Sequence, residues 1–141
     1  MAAVNPYLTF SNNCAEAFDF YKAAFGTEFL TRMLFSDIPD SKYDEKEGNK
    51  VMHVALPIGQ GTILMGSDSP AEFGQLREGD NLSIAISAAS EEEAKKLFNA
   101  LSAGGKVTMP LEKAFWGALF GMFTDKYGVQ WMVNYDYEKK N

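Results

Sequence analysis

Hydrophobic and polar positions change period along this chain in an order that occurs twice. Asn5 to Phe10 alternates Asn, Tyr and Thr against Pro, Leu and Phe, the signature of a half-buried strand. Ala17, Phe18, Phe20, Tyr21, Ala24 and Phe25 then recur at helical spacing up to Gly26, which predicts an amphipathic helix packing its aromatic stripe on a sheet. Asn13 and Glu16 have capping-box spacing at its start. Glu28 to Phe35 predicts a strand, and Val51 to Ile58 with Thr62 to Ser67 a hairpin around Gly59-Gln-Gly61. The order then repeats. Leu82 to Ser87 alternates as a strand, and Ser90 with Glu93 caps a helix running to about Ala103, before Gly104-Gly105. Lys106 to Leu111 predicts a strand, and Leu119 to Thr124 with Val129 to Tyr135 a hairpin turning at Lys126-Tyr-Gly128. Each copy closes on Gly-x-x-x-Met, Gly61 to Met65 and Gly128 to Met132.

The reading is α+β: two βαβββ repeats, about 3–69 and 81–137, joined by a linker over about 70–80, in a single domain. One such unit leaves a sheet face bare. Two are expected to make a curved, mixed eight-stranded sheet around a concave cleft, with helices outside. If the helices cover Leu8 and Phe10 in one repeat and Ile84 and Ile86 in the other, alternation assigns Asn5, Tyr7, Thr9, His53, Ala55, Ile63, Met65 and Ser67 to the opposite face of the first. In the second it assigns Ser83, Ala85, Ser87, Phe120, Met122, Thr124, Gln130, Met132 and Asn134. Apolar and aromatic groups with a few polar handles suit a small-molecule site. Tyr7, Thr9, Met65, Ser67, Ser83, Trp116, Phe120, Met132 and Asn134 are the ligand-binding candidates. Met65 and Met132 would supply an adaptable apolar floor.

Composition narrows the function. The chain has 141 residues, 46% of them hydrophobic, enough for one ordinary core. A formal charge of −6 argues against nucleic acid as partner, because such binding needs basic surface. No apolar run reaches membrane-spanning length, and Met1-Ala-Ala-Val-Asn-Pro carries neither a basic nor an apolar leader region, so a cytoplasmic protein is expected. The one cysteine, Cys14, fits a reducing compartment. Its place in a helix's first turn allows either a reactive thiolate or a packed bystander. Polar Ser36 to Asn49, with Asp40, Lys42 and Asp44, is either a solvated connection or a lid. The last residues, Glu138 to Asn141, should form a frayed tail.

His53, the one histidine, is the catalytic candidate: general base, hydrogen-bond donor or metal ligand, or else simply a histidine satisfied by a neighbouring hydroxyl. Asp125 and Asp68 read as turn residues. Trp131 should face the helix layer or a subunit interface, while Trp116, beside Gly117, either packs in the core or walls a pocket. Exposed sheet edges and aromatic content favour a homodimer.

Pro6-Tyr-Leu-x-Phe10, Ala15-Glu-Ala-Phe-x-Phe-Tyr21-x-x-x-Phe25-Gly26, Val51-Met-His53-x-x-Leu56 and Phe115-Trp116-Gly-x-x-Phe120-Gly-Met-Phe-x-Asp125-x-Tyr-Gly128-Val-Gln-Trp131-Met-Val-Asn134 together resemble the vicinal oxygen chelate superfamily of glyoxalases, bleomycin-resistance proteins and extradiol dioxygenases. Within it they are similar to the PhnB-like branch, which carries a 3-demethylubiquinone-9 3-methyltransferase label. The resemblance implies small-molecule binding in the cleft or, alternatively, a metal-dependent or His-assisted lyase, isomerase or dioxygenase. It places the superfamily's metal-ligand positions at about Asn5, Met65, Ser83 and Met132. A carboxamide, a hydroxyl and two thioethers are poor ligands for Mg, Mn, Ni or Zn, so no metal or other cofactor is assigned. The strand–helix junctions, Ser11-Asn-Asn and Ala88-Ala-Ser, lack the glycine-rich turn of a Rossmann-type methyl-donor site.

Overall fold

The computed structural model describes residues 2–39 and 45–137. Asp40, Lys42 and Asp44 of the expected loop or lid lie outside the described residues, as does the expected Glu138–Asn141 tail. Two compact units follow one another, Met1–Arg77 and Glu78–Asn141.

The first unit runs β1 (Tyr7–Phe10), α1 (Cys14–Phe25), β2 (Thr31–Leu34), a short helix α2 (Glu45–Gly48), β3 (Val51–Gly59) and β4 (Thr62–Asp68). Its strands order as β1-β4-β3-β2, with β1 parallel to β4 and the other pairs antiparallel. The second unit runs β5 (Ile84–Ser87), α3 (Glu91–Ser102), β6 (Lys106–Lys113), β7 (Ala118–Thr124) and β8 (Gln130–Asp136), ordered β5-β8-β7-β6, with β5 parallel to β8. The two units therefore share one topology. This is an α+β fold of two βαβββ repeats, its eight strands paired as two open, mixed four-stranded sheets.

Each helix covers one face of its own sheet. Helix α1 buries Cys14, Ala17, Phe18, Tyr21 and Ala24, and α3 buries Ala94, Leu97, Phe98 and Leu101. Close approach requires a glycine beneath each helix. A Cβ on Gly66 would stand 2.6 Å from a Phe18 ring carbon, and one on Gly121 would stand 2.7 Å from a Phe98 ring carbon. The repeated Gly of Gly-x-x-x-Met has a backbone cause: Gly61 and Gly128 have φ of 75° and 88°, in the left-handed region that side chains disfavour.

The caps differ between the repeats. Ser90 caps α3 as expected, its Oγ accepting from the Glu93 N–H at 3.0 Å, while a Glu93 carboxylate oxygen accepts from the Ala89 N–H. At α1 the expected Asn13 box does not form, since the Asn13 side chain makes no cap hydrogen bond. Asp68 takes its place: Oδ1 accepts from the Cys14 N–H and Oδ2 from the Val51 N–H, both at 2.9 Å. A carboxyl oxygen from the end of β4 takes the orphan donor in place of the local amide. Asp68 is thus a buried tie between α1, β3 and β4, not the turn residue expected.

Several strands are shorter or longer than the pattern suggests, among them β1, which begins at Tyr7 and not Asn5. Strand β2 begins at Thr31 and ends at Leu34, where the register shifts and Asp37 Oδ2 accepts the Leu34 N–H, folding the chain into a 3-10 turn at Phe35–Asp37. Strand β5 starts at Ile84 instead of Leu82, whose carbonyl accepts from the Gln130 side chain at 2.9 Å. Strand β6 continues past Leu111 to Lys113, pairing with Leu119.

Candidate functional site

The face of each sheet opposite its helix carries those expected site residues that lie in strands, and strand register fixes their neighbours. In the first unit Tyr7 lies beside Met65, Met65 beside Ala55 and Ala55 beside Thr31, one row across four strands. In the next row Thr9 lies beside Ser67, and His53 beside Met33. The Tyr7 and His53 rings stack with centroids 6.0 Å apart and planes 28° apart. Tyr7 is 49% exposed and His53 half-buried, whereas Leu64 and Asp68 of the same sheet turn inward and are buried. Strand alternation thus separates a packed face from an accessible one. His53 stands on the accessible side with Tyr7 as its aromatic partner.

In the second unit Ala85, Met132, Met122 and Met109 form one row, and Ser87, Asn134, Phe120 and Glu112 the next. Asn134 donates to Asp136 at 3.1 Å. Ser83 is exposed just before β5, outside the ladder. Trp116 corrects the core alternative. It sits 54% exposed at the β6–β7 turn, edge-on between Phe115 and Phe120 with ring centroids 5.0 and 5.6 Å away. Gly117 makes that turn, with φ of 87°. Trp131 is fully buried on the helix side, and its indole N–H donates to Asp125 Oδ2 at 2.9 Å. Asp125 is the turn residue expected, Oδ1 accepting from the Tyr127 and Val129 N–H groups.

Met33 and Met109 are not among the candidates that alternation assigns. Each occupies the accessible face through its register partner, His53 and Met122 respectively. A register break on either side of Met109 hides it from simple alternation. In the first unit a separate depression of about 310 Å³, lined in part by Ser11, Asn12, Lys50 and Gln75, holds none of the candidate residues.

Cys14 is fully buried. Burial, and then the Asp68 carboxylate, push its pKa far above the ordinary thiol range, against the opposing pull of Arg32. Burial overrides the helix terminus.

Two mixed βαβββ sheets, each with one helix-covered and one accessible face, define a paired-repeat α+β fold. The Glyoxalase/Bleomycin resistance protein/Dioxygenase superfamily profile matches residues 3–133, and the chain belongs to that superfamily. It is 30% identical over 140 residues to protein YjdN of Escherichia coli K12, covering 93% of each chain. The crystal structure of PA1353 from Pseudomonas aeruginosa is similar, with TM-score 0.85 and 40% identity over 96% of this chain and 98% of that one. So is the PhnB protein of Bacillus cereus, which bears a 3-demethylubiquinone-9 3-methyltransferase label, with TM-score 0.76 and 26% identity over 95% and 99%. The PhnB-like resemblance is thereby supported by a solved structure.

The superfamily's metal-ligand positions do not fit a hard divalent ion here. In the first repeat Asn5 engages its carboxamide oxygen with the Ile63 N–H at 2.9 Å, and Met65 offers a thioether. In the second, Ser83 precedes the strand and Met132 is again a thioether. Among the described residues no group of three or more His, Cys, Asp or Glu side chains comes together to hold an ion. Among them, too, no helix is long and apolar enough to cross a membrane.

Proposed function

We propose that this protein binds a small, partly aromatic organic molecule on the helix-free sheet faces of its repeats, sequestering or sensing it. The observation that carries the reading is the Tyr7–His53 stack beside Met65 on an accessible sheet face. An aromatic pair offers a flat apolar surface, a thioether adapts to irregular shape, and Thr9 and Ser67 supply hydroxyls for orientation. Phe120, Asn134, Met132 and Trp116 are the corresponding candidates in the second repeat, with Ser83 at its margin. The test is a thermal-shift screen of aromatic and heteroaromatic compounds, run beside a panel of divalent ions. Stabilisation by a chemically related set of organic compounds supports binding; stabilisation by ions alone overturns it.

A second reading, His53-assisted lyase or isomerase chemistry, is favoured by the position of this one imidazole on the accessible face. Turnover of a screened compound that disappears in His53→Gln, with binding retained, would establish it in place of simple sequestration. The homodimer belongs to the same proposal, supported by the edge position of β6, whose Val107 and Met109 are 45% and 46% exposed. Light scattering at high concentration checks it, and a strictly monomeric mass refutes it. A cytoplasmic location is part of the reading too, supported by the free Cys14.

A further inference from the structure

Three of the chain's seven methionines meet in one row on the accessible face of the second sheet. Met132 on β8 is the register partner of Met122 on β7, and Met122 is the partner of Met109 on β6. Directly paired residues on neighbouring strands present their side chains on the same face. That face is opposite the one on which Phe98 of α3 closes over Gly121. Met122 and Met132 are half-buried and Met109 is 46% exposed, so the row is open to solution from the edge strand β6. Breaks in register before and after Met109 make it a locally re-aimed position rather than one more step of a regular ladder.

We propose that Met109, Met122 and Met132 form a binding site for a soft monovalent ion, of the Cu(I) or Ag(I) kind. Thioether sulfur is a neutral, polarisable donor that selects soft ions and discriminates against Mg, Mn and Zn. The strands of the two outer methionines, β6 and β8, stand about 9.5 Å apart, twice the usual strand spacing. Each sulfur lies two bonds beyond its Cβ on an unbranched chain. The outer thioethers can therefore lean toward the middle one and share a single ion. Ala85, the fourth member of the row, is small and leaves the space beside Met132 open. The same position that fails as a ligand for a hard ion, Met132, becomes a fitting one once its strand neighbours are counted with it. The inference concerns the second unit alone and does not rest on organic-ligand binding.

The test is a titration of the purified full chain with Ag(I), and with Cu(I) under reductant against a colorimetric Cu(I) competitor. Methionine methyl groups are carbon-13 labelled and followed by NMR. The expected result is one ion per chain, with the methyl signals of Met109, Met122 and Met132 shifting together and Met52 still. The Met109→Leu/Met122→Leu/Met132→Leu variant, which keeps apolar volume, should lose the ion, and Cys14→Ala should keep it. Single Met→Leu variants, each weakening the ion, serve the same purpose if the triple variant melts early. Unchanged stoichiometry in the leucine variants, loss of the ion in Cys14→Ala, or shifts confined to other methionines would overturn the proposal.

Discussion

The Asp68 carboxylate holds the Cys14 backbone N–H at 2.9 Å, joining the last residue of β4 to the first residue of α1 across 54 positions of sequence. Its other oxygen holds the first N–H of β3 at Val51. One side chain thus fixes where a helix starts and where a strand starts, beneath the accessible face on which Thr9 and Ser67 stand.

Asp68 is 3% exposed, so its removal strands two buried N–H donors with no water to replace the carboxylate. Asp68→Ala should destabilise the protein by about 2–4 kcal/mol. Asp68→Asn should also destabilise, because an amide in that position turns a donor toward one of two donors. Urea unfolding followed by circular dichroism measures both; a loss near zero would show that the tie has little energetic weight.

Cys14 gives a pH dependence whose sign follows from its raised pKa. Below the unfolded thiol's pKa of about 8.5, both states hold the proton and the thiol adds no slope. Above it the unfolded chain releases the proton and the folded chain does not. Stability therefore falls with rising pH, by up to about 1.4 kcal/mol per unit from this group. Unfolding curves between pH 8 and 10.5 should show a steeper decline for wild type than for Cys14→Ala. In the folded protein a thiol reagent should leave Cys14 unmodified until denaturant is added.

Both helix-to-glycine contacts predict overpacking on substitution. In Gly121→Ala the new methyl would stand 2.7 Å from the Phe98 ring and 2.9 Å from the Leu111 Cα, and backbone cannot swing aside. In Gly66→Ala it meets the Phe18 ring and the Leu8 carbonyl. Each should cost about 1–3 kcal/mol in chemical denaturation. Pairing Gly66→Ala with Phe18→Leu should recover part of the loss, because the ring is one of its two obstacles.

The two repeats were legible because their signals are local: alternation in the strands, helical spacing at Ala17 to Phe25, and glycines that stop helices or turn hairpins. Ser90 and Glu93 could be read as a cap for the same reason, their partners lying within four residues. Asn13 looked equivalent and was not, since a residue far along the chain supplied the acceptor instead. The accessible face was legible through alternation wherever the ladder is regular. It was lost at Met109, where register breaks, while Trp116 was already a candidate, although its exposure is set by a turn at Gly117 and not by a periodic element. The donor chemistry of Met65 and Met132 could be judged from residue type alone, while the grouping of three methionines needed the strand order.

The central claim is that the helix-free faces bind an organic molecule, and the variant Tyr7→Ala/His53→Ala/Met65→Ala tests it most directly. These side chains lie at the surface of the sheet, so the variant should fold with wild-type circular dichroism. Calorimetric titration of the most stabilising screened compound should give measurable binding to wild type and roughly a tenfold or greater loss in the variant, equivalent to about 1.4 kcal/mol. Equal affinity for the folded variant and the wild type would contradict the claim.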